Sequence, residues 1–187
     1  MDTIITKLYE QVHKTPQESV LFDQSTEITY AILLDKIHHV RDKLSHQGVQ
    51  PSDKIAICAD NSTEFVIAVF AVMDLGCIFV PLSPHDPQAR IVSILNKLCP
   101  AVTLIQKRAP YFQDFHPMVL SDLLADDVDE MMVNRPRYRA PLPRKSSDLA
   151  YIILQRRSRS RSRGIYRFFI IQSSAGNFTL PFRWLFQ

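Results

Sequence analysis

The chain has 187 residues, 46% hydrophobic and 22% charged, which is enough for one domain with a real core and too apolar for a wholly disordered polymer. Its net charge of +3 hides a split: residues 1–148 carry a net −4, while residues 149–187 hold seven arginines, no lysine and no acid. The four glycines, Gly48, Gly76, Gly164 and Gly176, stand too far apart for a glycine-rich phosphate or dinucleotide loop, and the longest apolar run, Phe65 to Met73, has nine residues against the ~20 of a membrane span.

Ile4, Ile5, Leu8, Tyr9 and Val12 repeat at helical spacing, and Pro16 stops that helix. Ser19 to Phe22 and Ile28 to Tyr30 read as two strands of a hairpin around the turn residues Asp23-Gln24-Ser25-Thr26. From Tyr30 the period changes. Tyr30, Leu33, Leu34, Ile37, Val40 and Leu44 share one helical face, and Gly48 stands where a left-handed cap would end the helix.

Pro51-Ser52-Asp53 is a turn before the strand Lys54 to Cys58. Asn61 with Glu64 reads as a capping pair for an almost wholly apolar helix, Phe65 to Leu75, that Gly76 ends. Cys77 to Val80 is the next strand. Asp86-Pro87 reads as cap and first turn of the helix Gln88 to Leu98, Pro100 ends it, and Val102 to Ile105 is a further strand. The β-α-β-α-β alternation predicts an α/β fold, a parallel sheet flanked by helices. The pattern fades after Lys107. Asp126, Asp127, Asp129 and Glu130 with three prolines suggest a surface loop over 126–148, and Asp148 to Ile153 reads as one more buried strand. From Leu154 an Arg/Ser run, Gln155 to Arg163, leads into aromatic-rich sequence with no clean period, and no element is assigned there.

In this order, the segments resemble the N-terminal part of the AMP-forming adenylating enzymes, the AMP-dependent synthetase/ligase superfamily. The resemblance rests on Ile28-Thr29-Tyr30, on Gly48 through Ile57, on Met73 through Leu82, on Pro84 through Ile91 and on Asp148 through Ile153. The entry Gln11 to Pro16 and the Val80-Pro81-Leu82-x-Pro84 core look most like the nonribosomal peptide synthetase branch, with acyl-CoA synthetases as the alternative. The resemblance implies a partial AMP-binding (adenylation) domain over residues 1–153, and an Arg/Ser-rich, aromatic tail over 154–187 that is foreign to the family and expected to be disordered. In intact members it implies ATP, Mg²⁺ and a thiol from phosphopantetheine or coenzyme A, with a carrier protein as partner. No cofactor is expected for this chain alone.

The family's strand leads into a loop of the form Thr-Ser-Gly-Ser-Thr-Gly-x-Pro-Lys-Gly that wraps ATP phosphates. In register with it, this chain matches only at Ser158 and Gly164. Arg157 and Ser160 take the two inner glycine positions, and Arg163 stands where the lysine would be. Bulky side chains there block close backbone approach. The family's later motifs and its C-terminal domain have no counterpart in these residues. The expectation is therefore a fragment inactive in adenylation, with no catalytic or metal residue to name and no cofactor-binding residue identified.

Other candidates have plainer explanations. His38-His39 reads as a solvated pair and His85 as a loop residue beside the cap Asp86, not as a base with its orienter. The acids at 126–130 are spaced poorly for a metal. Cys58, Cys77 and Cys99, each in an apolar segment, are expected as buried reduced thiols of a cytoplasmic protein. The start, Met1 to Ile4, lacks a signal pattern. The Arg/Ser run could neutralise nucleic-acid phosphates, and phosphorylation of Ser158, Ser160 or Ser162 would reverse its charge. An interrupted enzyme strand is a poor mount for such an arm, so neither nucleic acid nor membrane is an expected partner. We read the residues from about 154 as translated out of the ancestral frame or from unspliced sequence. Translating the encoding DNA in the other two frames should recover a Ser-Gly-Ser-Thr-Gly-like loop there or beyond a splice junction, and its absence would sink that reading.

Overall fold

The computed structural model describes residues 3–23, 26–125, 149–155 and 167–172. The elements are α1 (Ile4–Lys14), β1 (Ser19–Asp23), β2 (Thr26–Thr29), α2 (Tyr30–His46), β3 (Lys54–Cys58), α3 (Thr63–Asp74) and β4 (Ile78–Leu82). There follow α4 (Gln88–Leu98), β5 (Val102–Ile105), a 3-10 turn (Pro110–Phe115), β6 (Pro117–Val119), α5 (Leu120–Leu124), β7 (Leu149–Gln155) and β8 (Arg167–Gln172).

β1 and β2 pair antiparallel as a separate hairpin. Among the described residues, the main sheet runs β6-β5-β3-β4-β7-β8. Its first five strands are parallel and β8 returns antiparallel to β7. The expected α/β architecture is therefore the one that forms. Side chains alternate along a strand, and both faces of β3 are covered. Ile55 and Ile57 pack with α2 and α3 on one face, while Ala56 and Cys58 pack with α4 on the other. Each large side chain so buried contributes about 1.5–3 kcal/mol relative to leaving it in water.

Local chemistry sets the element ends. Thr3 and Thr6 exchange side-chain and backbone hydrogen bonds in a capping box on α1. Gly48 follows α2 at φ +84°, and the Val49 N–H returns to the Leu44 carbonyl at 3.3 Å. Two capping expectations are corrected. Ser62, not Asn61, caps α3, its hydroxyl accepting from the Phe65 N–H at 3.2 Å. Asp86 does not cap α4, because Pro87 occupies that position and Asp86 pairs instead with Arg90 one turn on, at 3.3 Å. The tail also departs from expectation: Arg167–Gln172, where no element is predicted, form β8. The acidic stretch 126–130 and the run from Arg156 to Gly164 lie outside the described residues. β4 carries Pro81 in mid-strand, opposite Ile57 of β3. On its other side β4 meets β7 in register only at Phe79 and Tyr151, whose rings stack at 5.2 Å.

The helix read as almost wholly apolar, α3, ends on a buried carboxylate. Asp74, 2% exposed, accepts from Arg41 Nη1 at 2.7 Å. Burial pushes its carboxyl up, against the pull of Arg41 and Tyr9. Burial also works against the Arg41 charge, which the Asp74 and Asp42 carboxylates sustain. Such a pair adds little net stability, yet removing one partner strands the other. Asp74→Ala and Arg41→Ala should each cost about 3 kcal/mol, while the paired change Asp74→Leu with Arg41→Met should recover most of that loss. Urea unfolding midpoints check this, and additive losses in the double variant would show the two charges to be uncoupled.

Candidate functional site

Adjacent parallel strands that send their connections to opposite faces leave a crevice at their carboxyl ends. Here β3 leads into α3 on one face and β4 leads into α4 on the other. The loops at this edge are Ala59-Asp60-Asn61 after β3 and Ser83 to Pro87 after β4. β7, parallel to β4, ends at the same edge with Gln155, the first residue of the Arg/Ser run.

His85 Nε2 lies 2.7 Å from Asp60 Oδ1, joining the β3 and β4 loops across the crevice. Both side chains face water, at 79% and 45% exposure, so the contact orients the loops more than it stabilises the fold. The Asp60 N–H donates to Gln106 Oε1 at 3.2 Å, and the Gln106 N–H donates to the Cys58 carbonyl at 3.1 Å. The end of β5 is thereby tied to the same group. Cys58 is buried, and its thiol is pushed up to about 11 by burial, with the Asp86 and Asp60 carboxylates adding to the effect. A thiol so held is no nucleophile near neutral pH. The edge thus presents an exposed imidazole–carboxylate pair beside further acid, with its neighbouring thiol inert.

Several sequence expectations change here. His85 is a loop residue as expected, but it has a partner that only the sheet topology could show, Asp60, 25 positions away. His38 and His39 are half-buried rather than a solvated pair. His38 Nε2 meets the Tyr9 hydroxyl at 2.7 Å, and His39 Nε2 meets the Ala125 carbonyl at 3.3 Å. Cys58 and Cys77 are buried as expected, but Cys99 is exposed. Among the described residues, no group of three His, Cys, Asp or Glu side chains could hold a metal. No described helix is long and apolar enough to cross a membrane.

Residues 8–154 match the family of AMP-binding enzymes, and the chain belongs to it. One of the linear gramicidin synthase proteins of Brevibacillus parabrevis is 31% identical over 156 residues, covering 83% of this chain and 2% of that protein. The zwittermicin A synthase ZmaJ from Bacillus cereus is 30% identical over 167 residues, covering 88% of this chain and 31% of that protein. The chain therefore spans a minor part of the length of these relatives. Among solved structures, the N-terminal subdomain of Klebsiella oxytoca NpsA in complex with 3-hydroxybenzoyl-AMSN superposes with a TM-score of 0.75 at 19% identity, covering 92% of this chain and 41% of that one. VinN in complex with L-aspartate gives 0.77 at 20% identity, covering 91% and 48%. The match corresponds to the N-terminal part of an adenylation domain. The synthetase relatives favour the nonribosomal peptide synthetase branch over acyl-CoA synthetases or a nucleic-acid-binding fragment.

The burial differences among the thiols give a direct check. Alkylation of the folded chain near neutral pH should label Cys99 and spare Cys58 and Cys77, whereas the unfolded chain should take three labels. Mass spectrometry of the digested product distinguishes these outcomes, and early labelling of Cys58 would contradict its placement.

Proposed function

We propose that residues 8–154 are the sheet scaffold of an adenylate-forming domain of the peptide synthetase type, in a chain that does not itself carry out the adenylation. The single observation behind this reading is the placement of β7. It runs parallel to β4 and delivers Gln155 to the carboxyl edge of the sheet, where α/β folds of this kind bind their ligands. In the intact family a carboxylate attacks the α-phosphate of ATP with Mg²⁺ present. The acyl group then passes to the thiol of a phosphopantetheine arm on a carrier protein.

The residues present at this edge do not fit a bound triphosphate. Asp60 brings negative charge to the crevice, and the guanidinium of Arg90 is already engaged by Asp86. The loop position that follows β7 has Arg157 and Ser160 where close phosphate approach needs glycines. No step through ATP is therefore assigned to this chain. Its three free cysteines support a reducing compartment, and we place it in the cytoplasm.

The purified 187-residue chain should show no carboxylate-dependent exchange of pyrophosphate into ATP with any amino acid or aryl acid offered. Exchange above the no-carboxylate background would overturn the assignment of a non-catalytic scaffold.

A further inference from the structure

The polar cluster between α1, α2 and α3 has a defined direction of hydrogen bonding. Tyr9 Oη lies 2.7 Å from His38 Nε2, and 3.1 and 3.3 Å from the two carboxylate oxygens of Asp74. A tyrosine hydroxyl has one proton to give. Asp74, ionised against Arg41, can only accept, so that proton goes to Asp74. His38 Nε2 must then donate to Tyr9. The neutral ring does this in one of its two tautomers, whereas the imidazolium always does.

The charges around this contact point the same way. Tyr9 comes from α1, with His13 one turn further on. His38, Arg41 and Asp42 come from α2, with Asp35 one turn before His38. Asp74 comes from α3. Arg41 touches both Asp42 and Asp74, so with a neutral His38 these three charges leave one negative in excess. Protonating His38 balances it. Tyr9 and Asp74 are 3% and 2% exposed, while His38 is half-buried and open to solvent on one side.

The apolar face of α1 supplies its anchorage: Ile5 and Tyr9 pack with Leu34, Ile4 and Val12 lie against them beside Phe70 and Met73, and Leu8 joins the main core. The polar contact adds to that anchorage at one point, where its strength can change with protonation. We propose that α1 is an acid-tightened strap: protonation of His38 makes its hydrogen bond to Tyr9 charge-assisted, balances the Arg41–Asp42–Asp74 cluster, and fastens α1 to α2 and α3. A histidine that gains a hydrogen-bond partner and anionic neighbours on docking holds its proton more tightly in the docked state, so its contribution is present at low pH and is lost as pH rises.

Amide hydrogen exchange of the full chain, corrected for intrinsic rates, tests the strap. Protection over α1 should rise about fivefold between about pH 8 and pH 6, the advantage of one charge-assisted bond over a neutral one. His38→Gln, whose amide can still donate to Tyr9, should keep α1 docked with a flat profile. Tyr9→Phe should flatten the profile and lower protection throughout. His39→Gln should leave the slope unchanged. Titration of Asp74 has the same sign, and the His38→Gln chain separates the two. A flat profile in the parent chain, or the parent slope retained in His38→Gln, would overturn the proposal.

Discussion

β3 is hydrogen-bonded on both sides and buried on both faces, and the rest of the sheet is arranged around that constraint. Ile55, Ala56 and Ile57 are 0% exposed, so every neighbour must supply apolar surface. β4 and β5 flank the strand in parallel, which forces each connection to cross a face of the sheet. A near-continuous apolar strand is the signature of such a position, and Lys54 to Cys58 carries it. The lysine at its start escapes by donating its Nζ to the Leu98 carbonyl at 2.7 Å, which also satisfies the end of α4.

The same arrangement fixes where chemistry can occur. With α3 and α4 on opposite faces, the carboxyl ends of β3 and β4 open onto solvent, and their loops meet through His85 and Asp60. The edge is preorganised as a frame, since Gln106 ties the end of β5 into it. A frame is not a catalyst. Stabilising charge on transferring phosphates takes aimed donors and cations, and the described part of this edge offers a guanidinium and an imidazole that are each already engaged by a carboxylate.

Much of the fold was legible because the signals were periodic. The amphipathic face of α2, the short apolar run of β3 and the apolar α3 all fall where their residue pattern puts them. Elements too short to show a period were not legible. The turn Pro110–Phe115, β6 and α5 hold six, three and five residues. Capping was missed by one position twice, because Asn61 and Ser62, or Asp86 and Pro87, are equally good N-terminal residues until the backbone is known. Cys99 looked buried because it follows an apolar helix. It takes the left-handed cap position at φ +46° instead, which turns its side chain out. The edge contact and the helix-face cluster were illegible for a different reason. His85 and Asp60, or Tyr9 and Asp74, are 25 and 65 positions apart and meet only through tertiary packing.

Pro81 has one more consequence. A proline has no N–H to give to a ladder, and the in-register pairing of β4 with β7 is confined to Phe79 and Tyr151, whereas β4 and β3 pair over five positions. The sheet is therefore stitched unevenly. β6, β5, β3 and β4 form a block with continuous backbone pairing, and β7 with β8 forms a ribbon attached to it by stacking and side-chain burial more than by hydrogen bonds. The abrupt change in residue character at Leu154 falls on the ribbon side of this seam. A change of sequence there leaves the backbone pairing of the block untouched, so the seam marks how much of the chain could be rewritten without unravelling what came before it.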